Sequence, residues 1–395
     1  MTTKSLKILM ILPSPPNHLN RIRSLNLIRS FKKLGHYVTV ISLYKNAKEK
    51  QQIDTIKHLV DYYHSIYQPL RWSIICCLVA LFLPIPLRVA FCFSPALYRK
   101  LLQINKQVSY DLIYLKRCRM AQYRRCFKGN NVYIDFTDSM TKRYYNILQV
   151  SKGYKKLLCR EEYLKHRLYE HTIANKHTKI IICSKSDRDY LVQLWAKSQH
   201  FIVLENGIRT EERSLSKRKP KPSNIRLVFW WVMNVETNIN SVHYFLDEIF
   251  PYLPKNFTYT VIGPNPPEFL KLYKSKHINF LGHINNLQEE LKQYDLFVCS
   301  ITAWAGTKNK VLQSLLSWLP LVSSPLGIDG LDPDLQKNIN TYTTSKELIN
   351  YIQYFAKQNK RSCGLEKLRN IAIDKYDITK IVDTFISHHL RCHVK

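Results

Sequence analysis

Short apolar runs recur along the chain, and stretches with helical spacing follow them. "LKILMIL" (6–12) is a continuous apolar run closed by proline, the pattern of a parallel strand buried on both faces. "NRIRSLNLIRSFKKLG" (20–35) sets Ile22, Leu25, Ile28 and Leu34 broadly on one face, and Gly35 ends that helix. "HYVTVISL" (36–43) supplies the next strand, which makes a βαβ unit with a right-handed crossover. Strands are expected again at 110–115, 131–136, 179–184 and 201–207, with helices at 155–176 and 186–196. The polar, proline-containing stretch "RTEERSLSKRKPKPSN" (209–224) reads as a linker. A second series follows at once, with strands at 225–231, 258–264, 278–284, 295–301 and 319–325. Its helices are expected at 239–250, 267–275, 286–293 and 308–317, before a helical tail.

The pattern predicts an α/β chain of two Rossmann-like domains, with parallel sheets facing a central cleft. The domains run 1–208 and 225–375, joined by the 209–224 linker, and the 376–395 helix packs back on the first domain. Ligands of such sheets bind outside the carboxyl ends of the strands. The first turn, "PSPPNHLN", lacks GxGxxG, and no GxxxxGK[ST] occurs, so neither a dinucleotide fingerprint nor a P-loop is present.

Composition narrows the choice. Of the 395 residues 45% are hydrophobic and 23% charged, enough to build a sizeable core. Sixty Lys and Arg against 29 Asp and Glu give a net charge of +31, a field that attracts phosphates, nucleic acid or an anionic membrane. No zinc finger, basic heptad helix or RNP-like motif supports nucleic acid. The ten cysteines are scattered, without CxxC pairs or zinc-ligand spacing, so reduced thiols and no metal site are expected. The N-terminal apolar stretch stops at a proline cluster and reads as a strand, not a signal peptide. "WSIICCLVALFLPIPLRVAFCF" (72–93) is the most apolar segment, but Pro84, Pro86 and Arg88 interrupt it. It fits a monotopic membrane contact or core better than a span.

One region is specific. "GHINNLQEELKQYDLFVCSITAWAGTKNKVLQSLLSWLPLVSSPLGIDGL" (282–331) holds Gly282, Asp295, Gly306, Asn309-Lys310-Val311-Leu312, Pro320-Leu321-Val322 and Gly327-Ile328-Asp329-Gly330-Leu331. With these residues it resembles the donor-domain signature of family-4 glycosyltransferases of the GT-B fold. The likeness is to the subgroup that builds bacterial surface polysaccharides and exopolysaccharide. "RIRS", "IDFTDSM" and "LENGI" in the first half fall in the order of that family's acceptor domain.

The resemblance implies a retaining transfer of a sugar from a nucleotide-sugar donor to a surface glycan or lipid-linked acceptor. The enzyme would work in the cytoplasm, peripheral to the inner face of an anionic membrane, with no cofactor or metal. A catalytically degenerate GT-B scaffold in glycan assembly is the alternative. In the donor site Gly306 admits close approach, Thr307 caps a helix, Lys308 and Lys310 supply charge near the turn, and Asn309 lies between them. Lys308 and Lys310 do not share a helix face, so one of them points at phosphate. Gln313 stands where the family has a carboxylate for the ribose hydroxyls. It keeps the hydrogen bond and loses the charge, worth about 1–2 kcal/mol of donor binding. Trp231 replaces a glycine of the phosphate loop, and reads either as one of an aromatic pair with Trp230 or as a stacking surface. The Asn206-Gly207 turn belongs to the donor side or is a plain β-turn at the domain junction. On the acceptor side Asp138 aligns or deprotonates the hydroxyl, beside Ser139, unless the two form only a helix N-cap. Arg21 and Arg23 reach phosphate or face solvent. Asp135 and Asp138, three apart at a strand end, do not make a glycosidase-like pair.

Overall fold

The computed structural model describes residues 5–17, 21–129, 131–177, 179–212, 224–284, 286–301, 309–358 and 364–390. The chain divides into two compact units, Met1–Glu205 with Ile378–Lys395, and Asn206–Asp377.

The first unit is built on seven parallel strands: β1 (Lys7–Leu12), β2 (Tyr37–Tyr44), β3 (Tyr62–Tyr67), β4 (Leu112–Lys116), β5 (Val132–Thr137), β6 (Ile180–Ile182) and β7 (Phe201–Val203). Their order is β3-β2-β1-β4-β5-β6-β7. β1 and β4 are apolar runs buried along nearly their whole length, as strands covered by helices on both faces require. Each fully buried Leu, Ile or Phe in them contributes about 1.5–3 kcal/mol. Ser94, Ser139 and Ser184 cap helices by accepting a backbone N–H three residues on. The C-terminal helix Ile378–His389 returns to this unit. Val382, Phe385 and Ile386 pack with Leu27 and Phe31 of the helix Ile22–Lys33, and the Tyr133 hydroxyl donates to the His389 carbonyl at 3.0 Å.

The second unit holds β8 (Ile225–Trp230), β9 (Phe257–Ile262), β10 (Ile278–Leu281), β11 (Leu296–Cys299), β12 (Leu321–Ser323) and β13 (Asn340–Thr341), ordered β10-β9-β8-β11-β12-β13 and all parallel. Asp295 ties the start of β11 to β8, accepting the Arg226 N–H at 2.8 Å and its Nε at 3.2 Å.

Several elements go beyond the sequence expectation. β3 and the helices Ala47–Ile56 and Pro95–Gln107 were not expected. The helix expected over 267–275 is confined to Glu268–Lys271 behind Pro264, Pro266 and Pro267. Most of the expected linker, residues 213–223, lies outside the described residues. The 72–93 segment is core only at its end, where Val89, Ala90 and Cys92 are buried. Its helix Leu70–Leu81 buries only Ser73 and Ala80, and Phe82 beyond it is 89% exposed. No described helix is long and apolar enough to cross a membrane.

Candidate active site

Each sheet reverses its strand order next to its first strand, between β1 and β4 and between β8 and β11. The carboxyl ends at such a switch point form the crevice where α/β sheets bind ligands.

In the second unit that point holds the end of β8, the helix Glu236–Glu248 and the helix Asn309–Leu316. Lys310 is buried in the first turn of the last helix. Its ammonium donates to Asn238 Oδ1 at 2.8 Å and stands 4.9 Å from the Phe229 ring and 5.9 Å from the Trp231 ring. Asn238 is itself oriented by donating Nδ2 to the Val232 carbonyl at 2.9 Å. Trp230 Nε1 donates to Ser314 Oγ at 3.2 Å, and Ser314 donates to the Lys310 carbonyl at 2.8 Å. These bonds fix the indole and the lysine helix to each other. Trp231, half-buried, packs its ring 5.1 Å from Trp230. The backbone beside Trp231 is closely packed: a Cβ on Gly263 would sit 1.8 Å from the Trp231 carbonyl oxygen. Gly327 is equally constrained, because a Cβ there would meet Ser323 Oγ at 2.1 Å.

Other donor-side residues sort differently. Gly306, Thr307 and Lys308 lie outside the described residues. Asn309 is buried, and its Oδ1 has no hydrogen-bond partner among the described residues. Gln313 is half-buried on the same helix, next to buried Ser314. Asn206 and Gly207 open the second unit, just before Ile208 donates its N–H to the Tyr376 carbonyl at 2.7 Å.

In the first unit the corresponding point is filled by charge. Asp135 is fully buried on β5. Lys116 Nζ contacts its Oδ2 at 2.6 Å, Arg23 Nε at 3.4 Å, and the Tyr114 hydroxyl donates to the same oxygen. Burial opposes the charge of Asp135, but Lys116 and Arg23 hold its carboxyl well below the usual carboxylate range. Burial pushes Lys116 down to about 8 against the pull of Asp135, which leaves it an ammonium at neutral pH. The other oxygen of Asp135 accepts the Thr137 N–H at 2.6 Å. Thr137 takes φ +68°, a left-handed conformation that a β-branched residue rarely adopts. The β5 pairing shifts register at the same point. The buried carboxylate thus holds the strained exit from β5 on which Asp138 stands.

Asp138 is half-buried, within electrostatic reach of Arg117 and Arg143. The helix cap that follows belongs to Ser139, whose Oγ accepts the Lys142 N–H at 3.1 Å. Asp138 is therefore not the capping residue. Arg23 is bound into the chain, donating also to the carbonyls of Leu204 at 2.9 Å and Glu205 at 3.1 Å. Arg21 is half-buried and bonds Glu49 at 2.9 Å and the Pro15 carbonyl at 3.0 Å. Neither arginine has the solvent-facing placement that was one of the two expectations.

Sequence reasoning missed Glu170. It accepts the backbone N–H of Met140 at 2.8 Å and of Thr141 at 3.1 Å, with the Ser139 and Thr141 hydroxyls at 3.2 and 2.6 Å. It thereby holds the segment that follows Asp138. Burial pushes Glu170 up to about 7 against those donors. Nothing in the sequence pattern marks it, because its partners lie on another helix.

Residues 226–352 match the family model described as glycosyl transferases group 1. No curated protein matches the chain in sequence. HepE of Anabaena, solved in complex with UDP, is 14% identical, covers 97% of this chain and 99% of its own, and superposes with a TM-score of 0.67. WaaG, a glycosyltransferase involved in lipopolysaccharide biosynthesis, is 12% identical over 96% of this chain and 98% of its own, with a TM-score of 0.64. Sucrose-phosphate synthase from Thermosynechococcus elongatus is 10% identical over 98% and 99%, with a TM-score of 0.70. At these identities the likeness is one of fold. The chain has the GT-B fold, and the match to the glycosyl transferases group 1 model lies within its second unit.

Proposed function

We propose that this protein is a retaining glycosyltransferase that moves a sugar from a nucleotide-sugar donor to a surface glycan or a lipid-linked acceptor. The observation that carries this reading is the placement of Lys310. Within the segment that matches the glycosyltransferase model, it stands at the strand switch point, aligned by Asn238 and bordered by Phe229 and Trp231. A leaving diphosphate gathers negative charge, and a preorganised ammonium beside a helix start stabilises it. Gln313, on the same helix, is our candidate for the ribose hydroxyls. The aromatic face of Trp231 takes the place of the family's glycine loop and offers a stacking surface for the base or sugar. Lysines carry the phosphate charge in this scheme, and no metal takes part in the transfer.

Asp138 is the acceptor-side group, a half-buried carboxylate held by the Thr137 turn and the Ser139 cap. In a retaining transfer the departing phosphate takes the acceptor proton, and Asp138 orients the hydroxyl. The exposed helix Leu70–Leu81 adjoins the helix Gly153–Lys176, because Lys165 donates to the Ala80 carbonyl at 2.8 Å. Tyr154, Leu157 and Leu158 of the second helix are also exposed, beside Lys155, Lys156 and Arg160. Apolar side chains interleaved with cations suit an anionic lipid surface, and we assign this face to peripheral membrane contact.

Product analysis tests the reading. Incubation with a panel of UDP, GDP, CMP and dTDP sugars and lipid-linked acceptors is expected to give transfer with the donor's anomeric configuration kept. Inversion rejects the retaining mechanism. Binding of nucleotide sugars with no transfer to any acceptor favours the scaffold reading, which the substitutions Trp231 and Gln313 motivate.

A further inference from the structure

Behind the start of the helix Met140–Val150, three side chains of unlike chemistry converge. Cys118 comes from the short helix after β4, and His166 and Glu170 stand one turn apart on the helix Gly153–Lys176. One ligand-capable atom of each lies within 4.8 Å of the others, and all three residues are buried. His166 is 0% exposed, and neither of its ring nitrogens has a hydrogen-bond partner among the described residues. Tyr144 stacks on the imidazole at 5.1 Å and restricts its rotation. One turn earlier, Glu162 Oε2 is also buried without a partner, 3.7 Å from His166 Nε2.

Such groups are costly to leave unsatisfied, at about 1–3 kcal/mol each. Water, a proton or a metal ion can satisfy them. The donor set discriminates. A thiolate, an imidazole and a carboxylate form the mixed S/N/O set of a tetrahedral zinc site, with ligand atoms about 3.3–3.8 Å apart around the ion. The observed spacing closes to that with small side-chain shifts. A second carboxylate next to a ligating imidazole is the usual partner of its other ring nitrogen, and Glu162 occupies that place.

We propose that Cys118, His166 and Glu170 bind one divalent transition-metal ion of the zinc type inside the first unit, with a water molecule as the fourth ligand. Binding releases to solvent the Cys118 proton and the proton that Glu170 carries in its protonated fraction. The two anionic ligands then balance the ion's charge, so Arg88, Arg119 and Arg143, whose charges reach His166, face a neutral centre. Glu170 has room for this. Its Oε1 accepts one hydrogen bond, from Met140, whereas Oε2 accepts three, from Ser139 Oγ and from the N–H and Oγ1 of Thr141. The metal would therefore tie the helix Gly153–Lys176 to the segment that follows Asp138. The sequence expectation of no metal site rested on cysteine and histidine spacing along the chain, and Cys118 joins His166 and Glu170 from a different element.

Elemental analysis and cobalt spectroscopy on the full, tag-free chain test the assignment. After loading with zinc chloride and desalting, the protein is expected to retain about one zinc per chain. The Cys118→Ser and His166→Gln variants are expected to fall to background. Replacement by cobalt chloride should give a thiolate-to-metal charge-transfer band in the near ultraviolet. Dialysis against a chelator should lower the thermal midpoint of the wild-type chain, and added zinc should restore it. Absence of the cobalt band in wild type overturns the proposal without reference to any variant. Equal zinc and an equal band in both variants overturn it as well, because the ion then sits elsewhere. Neither result bears on sugar transfer.

Discussion

The two sheets repeat one strand order around their first strand, yet they fill the switch point with opposite chemistry. In the first unit Lys116, Arg23 and Tyr114 surround Asp135, so a cation and an anion are neutralised 2.6 Å apart. In the second unit Lys310 bonds the neutral amide of Asn238 and faces two aromatic rings. The difference separates a buried ion pair from a cation oriented by neutral groups. Lys116 is neutralised by the carboxylate of Asp135. The donor site proposed above rests on the second arrangement, in which Asn238 and the rings of Phe229 and Trp231 orient the Lys310 ammonium. The first unit's ionic cluster acts through geometry instead, by holding Thr137 in its strained turn and presenting Asp138.

The largest expected effect lies in the first unit. Removing one partner of a buried ion pair strands the other, so Asp135→Ala should lower the stability of that unit by about 3–5 kcal/mol in chemical denaturation. A near-neutral result would mean that Lys116 and Arg23 find other partners, and the contrast between the two lysines would fail. The same cluster predicts a pH signature. The folded-state pKa of Asp135 is depressed, so its stabilisation is complete above the ordinary carboxylate range and drains away as pH falls through and below about 4. Acid titration of Asp135→Asn should lack that component, and identical acid profiles for both proteins would contradict it.

The second unit should respond in binding rather than in folding. Lys310→Met keeps much of the aliphatic packing against Phe229. It should weaken nucleotide-sugar affinity by about 1.5–3 kcal/mol, the value of a hydrogen bond to a charged group. Calorimetric titration measures this directly, and a comparable loss of stability without a change in affinity would return Lys310 to the scaffold class. Gln313→Glu carries the smallest effect. Restoring the carboxylate should tighten donor binding by about 1 kcal/mol if the ribose hydroxyls lie there. An unchanged affinity would remove Gln313 from the site.

Much of the fold was legible because parallel strands buried on both faces announce themselves as apolar runs, as in "LKILMIL" and "DLIYLK". β3 was not, because "YYHSIY" is an edge strand of mixed polarity with only Ile66 buried. The proposed site was legible in part where its residues are close in sequence. Asn309, Lys310 and Gln313 all fall on one helix, as the motif implied. What sequence could not show is pairing across the fold. Phe229, Asn238 and Lys310 meet only once β8 and two helices are assembled, and Asp135 finds its cations on another strand and on the first helix. The tight packing of Gly263 against the Trp231 carbonyl is likewise a pairing across two strand ends that the sequence does not show.

The central claim is that the strand ends around Lys310 hold a nucleotide-sugar donor. Calorimetric titration of the wild-type chain and of Lys310→Met with UDP, GDP, CMP and dTDP sugars tests it most directly. At least one donor is expected to bind wild type at a single site, with affinity lost roughly 10- to 150-fold in the variant. If no donor binds the wild-type chain, or if the variant binds as tightly, the site is not where this account puts it.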